Sequence, residues 1–242
     1  MSALRGLDPK ELAPADVYAL LTGCVVPRPI AFVSSLSAGG VANLAPFSFF
    51  NAGGGNPPSL IFSPVTSGGL RDKDTLHNVR ATREYVVHIA PWGVRERMNQ
   101  ASAEYPPEVD EFEAAGFTKV ASTIVKPWRA AECPIAMECR LFQIVEHGQG
   151  PYHANYVIGE VVYFHIQESL MRGQRVDSAA LDAIGRLGGP NYTRVTPESI
   201  FAMPTLPTFT LEANSRAARP LRVKIATPLP YSCCEGSARA SS

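Results

Sequence analysis

Two long segments rich in β-forming residues constrain the fold of this chain more than any other feature. Pro134–His147 (PIAMECRLFQIVEH) mixes alternating and apolar stretches, and Asn155–Ile166 (NYVIGEVVYFHI) resembles it. A loop containing Gly, Pro and His joins the two segments, which predicts a long β-hairpin. Three shorter apolar segments, Ile30–Ser35, Ser59–Ser63 and Tyr85–Ile89, predict further strands.

Helical signals are fewer than strand signals. They predict helices from Asp74 or Thr75 to about Arg80, over Val94–Ser102 and over Ser178–Leu187. Strands that do not alternate regularly with helices disfavour a doubly wound α/β sheet. A chain of 242 residues is an ordinary length for one barrel domain. We therefore expect a mainly β fold, a closed antiparallel barrel with a few peripheral helices.

Composition excludes several classes of partner. Lysine plus arginine equals aspartate plus glutamate at 22 each, and no basic run is interleaved with aromatic residues, so we expect no nucleic-acid partner. The sequence shows no apolar stretch long enough for a signal peptide or a membrane span. The cysteines form no CxxC pair, which favours free thiols and a cytoplasmic protein; they are Cys24, Cys133, Cys139, Cys233 and Cys234.

Motifs for several common chemistries do not occur in the sequence. It contains no GxGxxG, Walker A, GxSxG or HExxH pattern, and its five histidines lie far apart, so we predict no metal site. Gly53–Gly55 could suggest a phosphate loop, but no Lys-Ser/Thr follows. These glycines instead predict a tight turn before Pro57 and Pro58.

The segment Asn43–Asn51 (NLAPFSFFN) is open to two interpretations. It could be a strand with Pro46 at a bulge and its phenylalanines in the core. Alternatively, because proline cannot donate to a ladder, the strand is interrupted at Pro46 and leaves free backbone groups. A flat heterocycle with alternating donors and acceptors, such as an isoalloxazine, could bind those groups, with Asn43 and Ser48 at either end of the break.

Lys73-Asp74-Thr75 has the composition of a phosphate site. Thr75 lies near a predicted helix N-terminus, where unpaired amides and the helix dipole favour an anion, and Lys73 adds a positive charge. The alternative is an ordinary helix cap with a solvated lysine. Asp74 disfavours a bound phosphate unless its carboxylate turns away to cap the helix.

Several segments together resemble flavin reductase-like FMN-binding proteins of the split-barrel class. The resemblance covers about Pro27–Phe209. It depends on the order of five segments, Val26–Ser35 (VPRPIAFVSS), Asn43–Asn51, Lys73–Thr75, Val109–Gly116 (VDEFEAAG) and Arg186–Gly189 (RLGG). It implies a six-stranded antiparallel Greek-key split barrel over residues 1–212, with residues 213–242 as a C-terminal tail that is either disordered or a strap on a partner subunit. It also implies a homodimer that holds FMN at the dimer interface.

The resemblance assigns roles to individual residues. Ser34 would flank the flavin, and the ring would face Asn43, Ser48 and the backbone of the residues between them. Ser63, Lys73 and Thr75 would lie toward the ribityl phosphate. Arg186–Gly189 would close the pocket, with Tyr192 nearby. The full set implied to bind the cofactor is Ser34, Asn43, Ala45, Pro46, Phe47, Ser48, Ser63, Lys73, Thr75, Arg186, Gly188 and Gly189.

The sequence departs from the family pattern in two places. Many relatives carry serines where this chain has Gly54 and Gly55, and the tail after Leu211 has no recognised counterpart. The acidic segment Glu104–Glu113 (EYPPEVDEFE) is open to two interpretations, an exposed loop or a lid over the flavin.

The implied activity is NAD(P)H-dependent flavin reduction or flavoprotein oxygenation, with electrons passing to an acceptor or to oxygen. Hydride transfer needs no protein acid or base, so no catalytic side chain is expected. Two alternatives remain at this stage. One is a non-enzymatic FMN electron carrier, and the other is a flavin-free split-barrel binding dimer that Gly54 and Gly55 would favour.

Overall fold

The long hairpin predicted from the sequence forms the centre of a large sheet. The computed structural model describes residues 3–65 and 72–204. Within them the strands are β1 (Arg28–Pro29), β2 (Ala31–Leu36), β3 (Ala42–Phe47), β4 (Phe50–Gly55), β5 (Pro58–Phe62), β6 (Glu84–Ile89), β7 (Lys119–Val120), β8 (Arg129–Ala130), β9 (Ile135–His147), β10 (Ala154–Ile166), β11 (Met171–Arg172), β12 (Arg175–Val176), β13 (Ile184–Arg186) and β14 (Tyr192–Arg194).

The main sheet has the order β3-β2-β6-β9-β10-β5-β4, with every neighbouring pair antiparallel. The expected mainly β, split-barrel fold is confirmed, although the sheet has seven strands rather than six. Strands β9 and β10 pair over their whole length, and two register shifts interrupt the pairing. Such bulges bend a strand and increase its twist, which helps a sheet to curve around a core.

One hydrophobic cluster is built from most strands of this sheet. Val33, Phe62, Tyr85, Cys139 and Val157 come from five different strands and are fully buried together. Side chains of one sheet meet in this way only when the sheet curves on itself, as in a barrel. Strand β3 lies at one end of this sheet, next to β2, and several of the predicted site residues lie on it.

The described part of the chain contains five α-helices, namely α1 (Pro14–Cys24), α2 (Asp74–Thr82), α3 (Arg95–Gln100), α4 (Glu111–Ala114) and α5 (Ser178–Leu181). Short 3-10 helices cover Pro9–Glu11, Trp92–Val94, Glu168–Leu170 and Pro197–Ser199. The helices predicted near residues 74–80 and 94–102 are present as α2 and α3.

The third predicted helix, Ser178–Leu187, is wrong beyond its first turn. Asp177 caps the N-terminus of α5 through the amides of Ala179 and Ala180, but Asp182 takes a left-handed conformation (φ 54°) that ends the helix. Residues Ile184–Arg186 then pair with β1 and β14. Helix α1 was not predicted from the sequence.

The described residues up to Ser199 form one compact unit. The predicted tail, 213–242, lies outside the described residues. Among residues 3–65 and 72–204, no helix has the length and apolar character needed to span a lipid bilayer.

Candidate functional site

Pro46 does not interrupt its strand. It lies within β3, opposite Phe32 of β2, and the register of this pair continues without a shift from Ala42 to Phe47. Proline is tolerated there because, among the described strands, β3 ends the sheet and pairs with β2 alone. The prediction of a break at Pro46 is therefore wrong, and the chain leaves the sheet two residues later, at Ser48 and Phe49.

The open edge of β3 borders a cavity of about 760 Å³. Ligand sites typically occupy about 300–1,000 Å³, so this volume suits a cofactor. Ten of the residues predicted to bind FMN line it, namely Asn43, Ala45, Pro46, Phe47, Ser48, Ser63, Lys73, Thr75, Arg186 and Gly189. Tyr192, which was expected near the pocket, also lines it.

Two of the predicted residues, Ser34 and Gly188, are not among the lining residues. Ser34 is fully buried and donates a 2.5 Å hydrogen bond to the carbonyl of Trp128. Gly188 packs against α1, where an added Cβ would lie 3.2 Å from the Cα of Gly23. Both residues therefore have structural contacts elsewhere in the subunit.

Asn43 is the centre of a buried hydrogen-bond network beside the cavity. Its Oδ1 accepts bonds from the hydroxyls of Thr75 (2.6 Å) and Ser35 (3.0 Å), and its Nδ2 donates to Glu111 (2.8 Å). Asn78 Nδ2 in turn donates to Ser35 Oγ (3.1 Å). The network ties β2, β3, α2 and α4 together, so the position of Thr75 at the cavity depends on it.

The first turn of α2 faces the same cavity. Lys73, at the N-cap position, makes no side-chain capping hydrogen bond, and Lys73, Asp74 and Thr75 all line the cavity. The Lys73 ammonium lies 3.0 Å from a carboxylate oxygen of Glu104. Ser63 is also buried at this wall, and its Oγ accepts a hydrogen bond from the amide of Asn155. Its hydroxyl proton remains able to donate into the cavity.

Arg28 is a buried cavity residue to which the sequence analysis assigned no role, although it lies inside the Val26–Ser35 motif. It is 4% exposed and donates to the carbonyls of Thr22, Val25 (2.8 Å) and Leu187 (2.9 Å). Burial lowers the pKa of its guanidinium from the ordinary value. Its position within the Val26–Ser35 motif was the sequence signal that could have identified Arg28 as a site residue.

The acidic segment Glu104–Glu113 is only partly a solvated loop. Glu104 is exposed, but Glu111 is buried and lines the cavity, so the exposed-loop interpretation is wrong for Glu111. Burial raises the pKa of Glu111, against the lowering effect of its hydrogen bond from Asn43. Whether the segment acts as a lid stays a prediction.

The glycines at 53–55 lie away from the cavity wall. They form the end of β4 rather than the turn itself, which follows at Asn56 and Pro57. A Cβ on Gly53 would come within 2.6 Å of Ser59 Oγ, so a larger residue there would require the Ser59 side chain to rotate. Since Gly54 and Gly55 do not line the cavity, their departure from the family pattern removes no contact from its described wall.

The described histidines and acids give no metal-binding arrangement. In residues 3–65 and 72–204, no three His, Cys, Asp or Glu side chains are grouped to hold an ion. His88, for example, is fully buried between the carbonyl of Phe32 and the amide of Ala130. Its two ring nitrogens are therefore used in the core.

A curved antiparallel sheet with a polar cavity at its open edge is the arrangement of a split barrel. Residues 22–178 match the model of the flavin reductase like domain, and the chain belongs to that family. An uncharacterised protein of Aquifex aeolicus is 37% identical over 190 residues, which is 78% of this chain and 95% of the relative.

Two solved structures share the fold at substantial identity. Nitrilotriacetate monooxygenase component B from Bacillus cereus is 35% identical with a TM-score of 0.79, covering 84% of this chain and all of that one. The 2-nitrobenzoate 2-nitroreductase of Pseudomonas fluorescens is 34% identical with a TM-score of 0.74, covering 87% of this chain and all of that one.

Proposed function

We propose that this protein is an FMN-dependent oxidoreductase that accepts electrons from NAD(P)H and passes them to a second acceptor or to oxygen. One observation carries the proposal. Ten residues expected from the sequence to bind FMN converge on a single cavity, and the first turn of α2 faces it. The family match and the two relatives named as a monooxygenase component and a nitroreductase support the same class of chemistry.

The open edge of β3 fits a flat ring. Among the described residues, strand β3 pairs only with β2 in the main sheet, and alternate residues of such an edge strand turn their backbone groups away from the partner strand. The amide of Leu44 donates to Glu111 rather than to β2, so the carbonyl of Pro46, two residues further on, also lies on the open edge and is available to a ligand. Ser48 follows directly where the chain leaves the sheet, and its hydroxyl adds a polar group. Such an edge can hold a heterocycle as it would hold a neighbouring strand.

The wall formed by α2 fits the phosphate of the same cofactor. The helix dipole and the amides of the first turn favour an anion, and Lys73 supplies a full positive charge. Ser63 adds a hydroxyl donor. Arg186, the last residue of β13, and Gly189, in the loop before β14, both line the cavity. They would close it over the bound molecule.

Bound FMN would supply two-electron chemistry, with NAD(P)H as the hydride donor. The residues of the chain would bind and orient the reactants and limit the access of water. No acid or base of the protein is needed for hydride transfer, so we assign no catalytic side chain. The three described cysteines, Cys24, Cys133 and Cys139, are free thiols, which supports the cytoplasmic location inferred from the sequence.

We further propose that the protein is a homodimer. Large apolar side chains are exposed on the two longest strands, where Phe142 is 60% and Phe164 51% exposed. Large apolar side chains exposed on long strands are common where subunits associate. A second copy of the chain would cover them.

The visible spectrum tests the proposed function directly. Purified protein, reconstituted with FMN and freed of excess ligand, should show flavin bands that bleach on anaerobic addition of NADH or NADPH. Bands that persist with both nucleotides would instead support an electron carrier. The absence of bands after reconstitution would contradict FMN binding and the proposal with it.

A further inference from the structure

The charged side chains of the cavity are segregated between two walls. Lys73 and the four acidic residues lie at the start of α2, on α4 or in the loop between α3 and α4. They are Asp72, Lys73, Asp74, Glu104 and Glu111. Arg28 and Arg186 lie on β1 and β13. The cavity therefore has one wall with an excess of carboxylates and one that carries only cations among its described ionised groups.

The two arginines face each other across a strand pair. Arg28 of β1 and Arg186 of β13 are direct partners in the antiparallel register, and both line the cavity. Like charges directly opposite each other on neighbouring strands are destabilising. Within residues 3–65 and 72–204, neither guanidinium forms an ion pair with a carboxylate. The nearby acids are used elsewhere, since Asp72 pairs with Arg80 and Glu104 pairs with Lys73.

Arg28 is held rigidly by neutral acceptors. It donates to the carbonyls of Thr22 and Val25 at the C-terminus of α1, and to the carbonyl of Leu187. The negative end of the helix offsets about half a charge, so a net positive charge remains buried. Burial lowers the pKa of Arg28, the nearby Tyr18 raises it, and Arg186 lowers it further. A buried cation without a counter-ion is costly unless a ligand supplies one.

Arg186 is fixed by its own neighbours and still has free donors. Its guanidinium stacks on the ring of Tyr192 at 4.4 Å, donates to the Tyr192 hydroxyl, and donates to the carbonyl of Gly189 (2.7 Å). The planar guanidinium has further N–H groups that can bind a carboxylate or a phosphate with two parallel hydrogen bonds. Ser48 Oγ, 3.4 Å from Arg28 Nε, is a further polar group at this wall.

We propose that Arg28 and Arg186 form a subsite for the oxyanion of a second molecule that enters the flavin cavity. The ligand class is a co-substrate with a carboxylate or a phosphate group. This inference rests on the proposed function, because it assigns the cofactor phosphate to the α2 wall and the co-substrate anion to the arginine wall. The two arginines thus determine which donors or acceptors reach the flavin.

Titration calorimetry with matched probes tests the subsite. Benzoate and its neutral analogue benzamide are titrated into the FMN-loaded and the flavin-free protein, and ADP is used as a phosphate probe. The variants are Arg186→Gln and Arg186→Lys, with Arg175→Gln as a control, since Arg175 is exposed and does not line the cavity. The FMN affinity of each variant is measured separately by quenching of FMN fluorescence.

We expect an anionic probe to bind wild type and Arg175→Gln, and to bind Arg186→Gln at least about tenfold more weakly, as the loss of a charge-assisted contact predicts. Arg186→Lys should retain part of the affinity, and benzamide should bind weakly to every variant. Tight benzoate binding identifies a carboxylate source, and tight ADP binding identifies a phosphate source.

Three results would overturn the subsite. Wild type could bind benzoate no better than benzamide and also fail to bind ADP. Arg186→Gln could retain full affinity for the anion. Alternatively, Arg186→Gln could lose FMN affinity as strongly as Lys73→Ala, which would make the arginine wall the cofactor phosphate site. Failure of wild type to bind FMN would contradict the proposed function alone, because the flavin-free titrations still report on the subsite. If Arg186→Gln does not fold, the benzoate–benzamide comparison in wild type decides.

Discussion

The hydroxyl of Thr75 donates a 2.6 Å hydrogen bond to Oδ1 of Asn43, which joins the first turn of α2 to the edge strand β3. The Thr75 proton is therefore used within the protein. Its expected part in binding phosphate must come from its position at the helix N-terminus rather than from donation by its hydroxyl. The contact between Thr75 and Asn43 sets the distance between the two walls proposed to hold the ring and the phosphate.

Substitutions at Thr75 should separate these roles. Thr75→Ser keeps the hydroxyl and should bind FMN within about threefold of wild type, whereas Thr75→Val should lose about 1–2 kcal/mol of FMN binding free energy because the bond to Asn43 is lost. Quenching of FMN fluorescence measures both. Thr82→Val is the matched control, because Thr82 lies at the far end of the same helix and bonds only to backbone carbonyls. Equal affinities for Thr75→Val and wild type would show that the network does not position the site.

The ion pair of Lys73 with Glu104 gives a second prediction, in which substitutions of the two partners have different effects on FMN affinity. Lys73→Ala should weaken FMN binding by about 1–3 kcal/mol, since it removes a charge-assisted contact to the phosphate. Glu104→Gln should leave the affinity unchanged or tighten it, because it frees Lys73 from a competing carboxylate. Both values come from titration of the flavin-free protein at low salt. Lys126→Ala, at an exposed position outside the cavity, controls for the loss of any positive charge. A Lys73→Ala variant with wild-type affinity would remove the proposed phosphate wall.

Much of this arrangement follows from short-range patterns. The hairpin β9–β10, the presence of a helix near residues 74–80 and the residues Asn43–Ser48 were predictable because strand periodicity, helical signals and motif order act over a few residues. The expected cap at Asp74 or Thr75 is wrong, since Lys73 holds the N-cap position and makes no side-chain capping hydrogen bond. The positions of Ser34 and Ser35 show where such patterns stop. Successive strand residues face opposite sides of a sheet, and it is Ser35 that reaches Asn43, while Ser34 bonds to Trp128. Periodicity cannot tell which of two serines faces the site.

Contacts over long sequence distances were not predictable. Arg28 and Arg186 are brought opposite each other only by the pairing of β1 with β13. The continuous pairing at Pro46 depends on β3 having no second neighbour in the sheet, which the order of strands decides and the local sequence does not. Both features depend on topology, so a single sequence contains no local signal for them.

Gly159 and Tyr85 provide a prediction about the barrel core. A Cβ on Gly159 would lie 2.0 Å from the Tyr85 hydroxyl and 3.0 Å from the carbonyl of Arg140. Gly159→Ala should therefore destabilise the fold by about 1–3 kcal/mol or more through overpacking. Chemical denaturation measures this free energy of unfolding. Gly173→Ala is the control, because an added Cβ at Gly173 would contact nothing. Any loss of stability in that variant would come from the positive φ of 61° alone.

The same site predicts the effect of Tyr85→Phe. Among the described residues, the buried Tyr85 hydroxyl has no hydrogen bond of good geometry, although the Cys139 thiol lies beside it, and burial raises its pKa well above the ordinary value. Its removal should cost less than about 1 kcal/mol or should stabilise the protein, because an unsatisfied buried hydroxyl is unfavourable. Tyr85→Phe should also reduce the penalty of Gly159→Ala in a double-mutant cycle. Additive effects of the two substitutions would contradict the proposed clash.

The buried imidazole of His88 predicts a decrease in stability at mildly acid pH. Burial lowers its pKa to about 4, although the carbonyl of Phe32 favours the charged form. The unfolded chain, with an ordinary histidine pKa of about 6.5, binds the proton first as pH falls, so the folded state loses stability below that value. Between pH 7.5 and 4.5 the loss from this group should be about 2–3 kcal/mol, and it should level off below the folded-state pKa.

The pH effect is measured as a difference between wild type and His88→Gln. Denaturation curves at several pH values give the unfolding free energy of each protein, and subtraction removes the contribution of the other titrating groups. The variant should be less sensitive to pH over this range by the stated amount. Its overall stability is expected to be lower, because His88 also accepts the amide of Ala130. Identical pH slopes for the two proteins would mean that His88 is not buried in the neutral form.

The exposed apolar side chains of β9 and β10 predict how the subunits associate. Phe164 is 51% exposed, and a charge placed there should oppose the burial of this surface against a second copy of the chain. Phe164→Asp should therefore convert a dimer to a monomer, as measured by sedimentation velocity, while circular dichroism remains that of the folded protein. Leu4→Asp, at a fully exposed residue near the N-terminus, is the control and should remain dimeric. A dimeric Phe164→Asp would assign the interface to another surface, and a monomeric wild type at micromolar concentration would refute the homodimer itself.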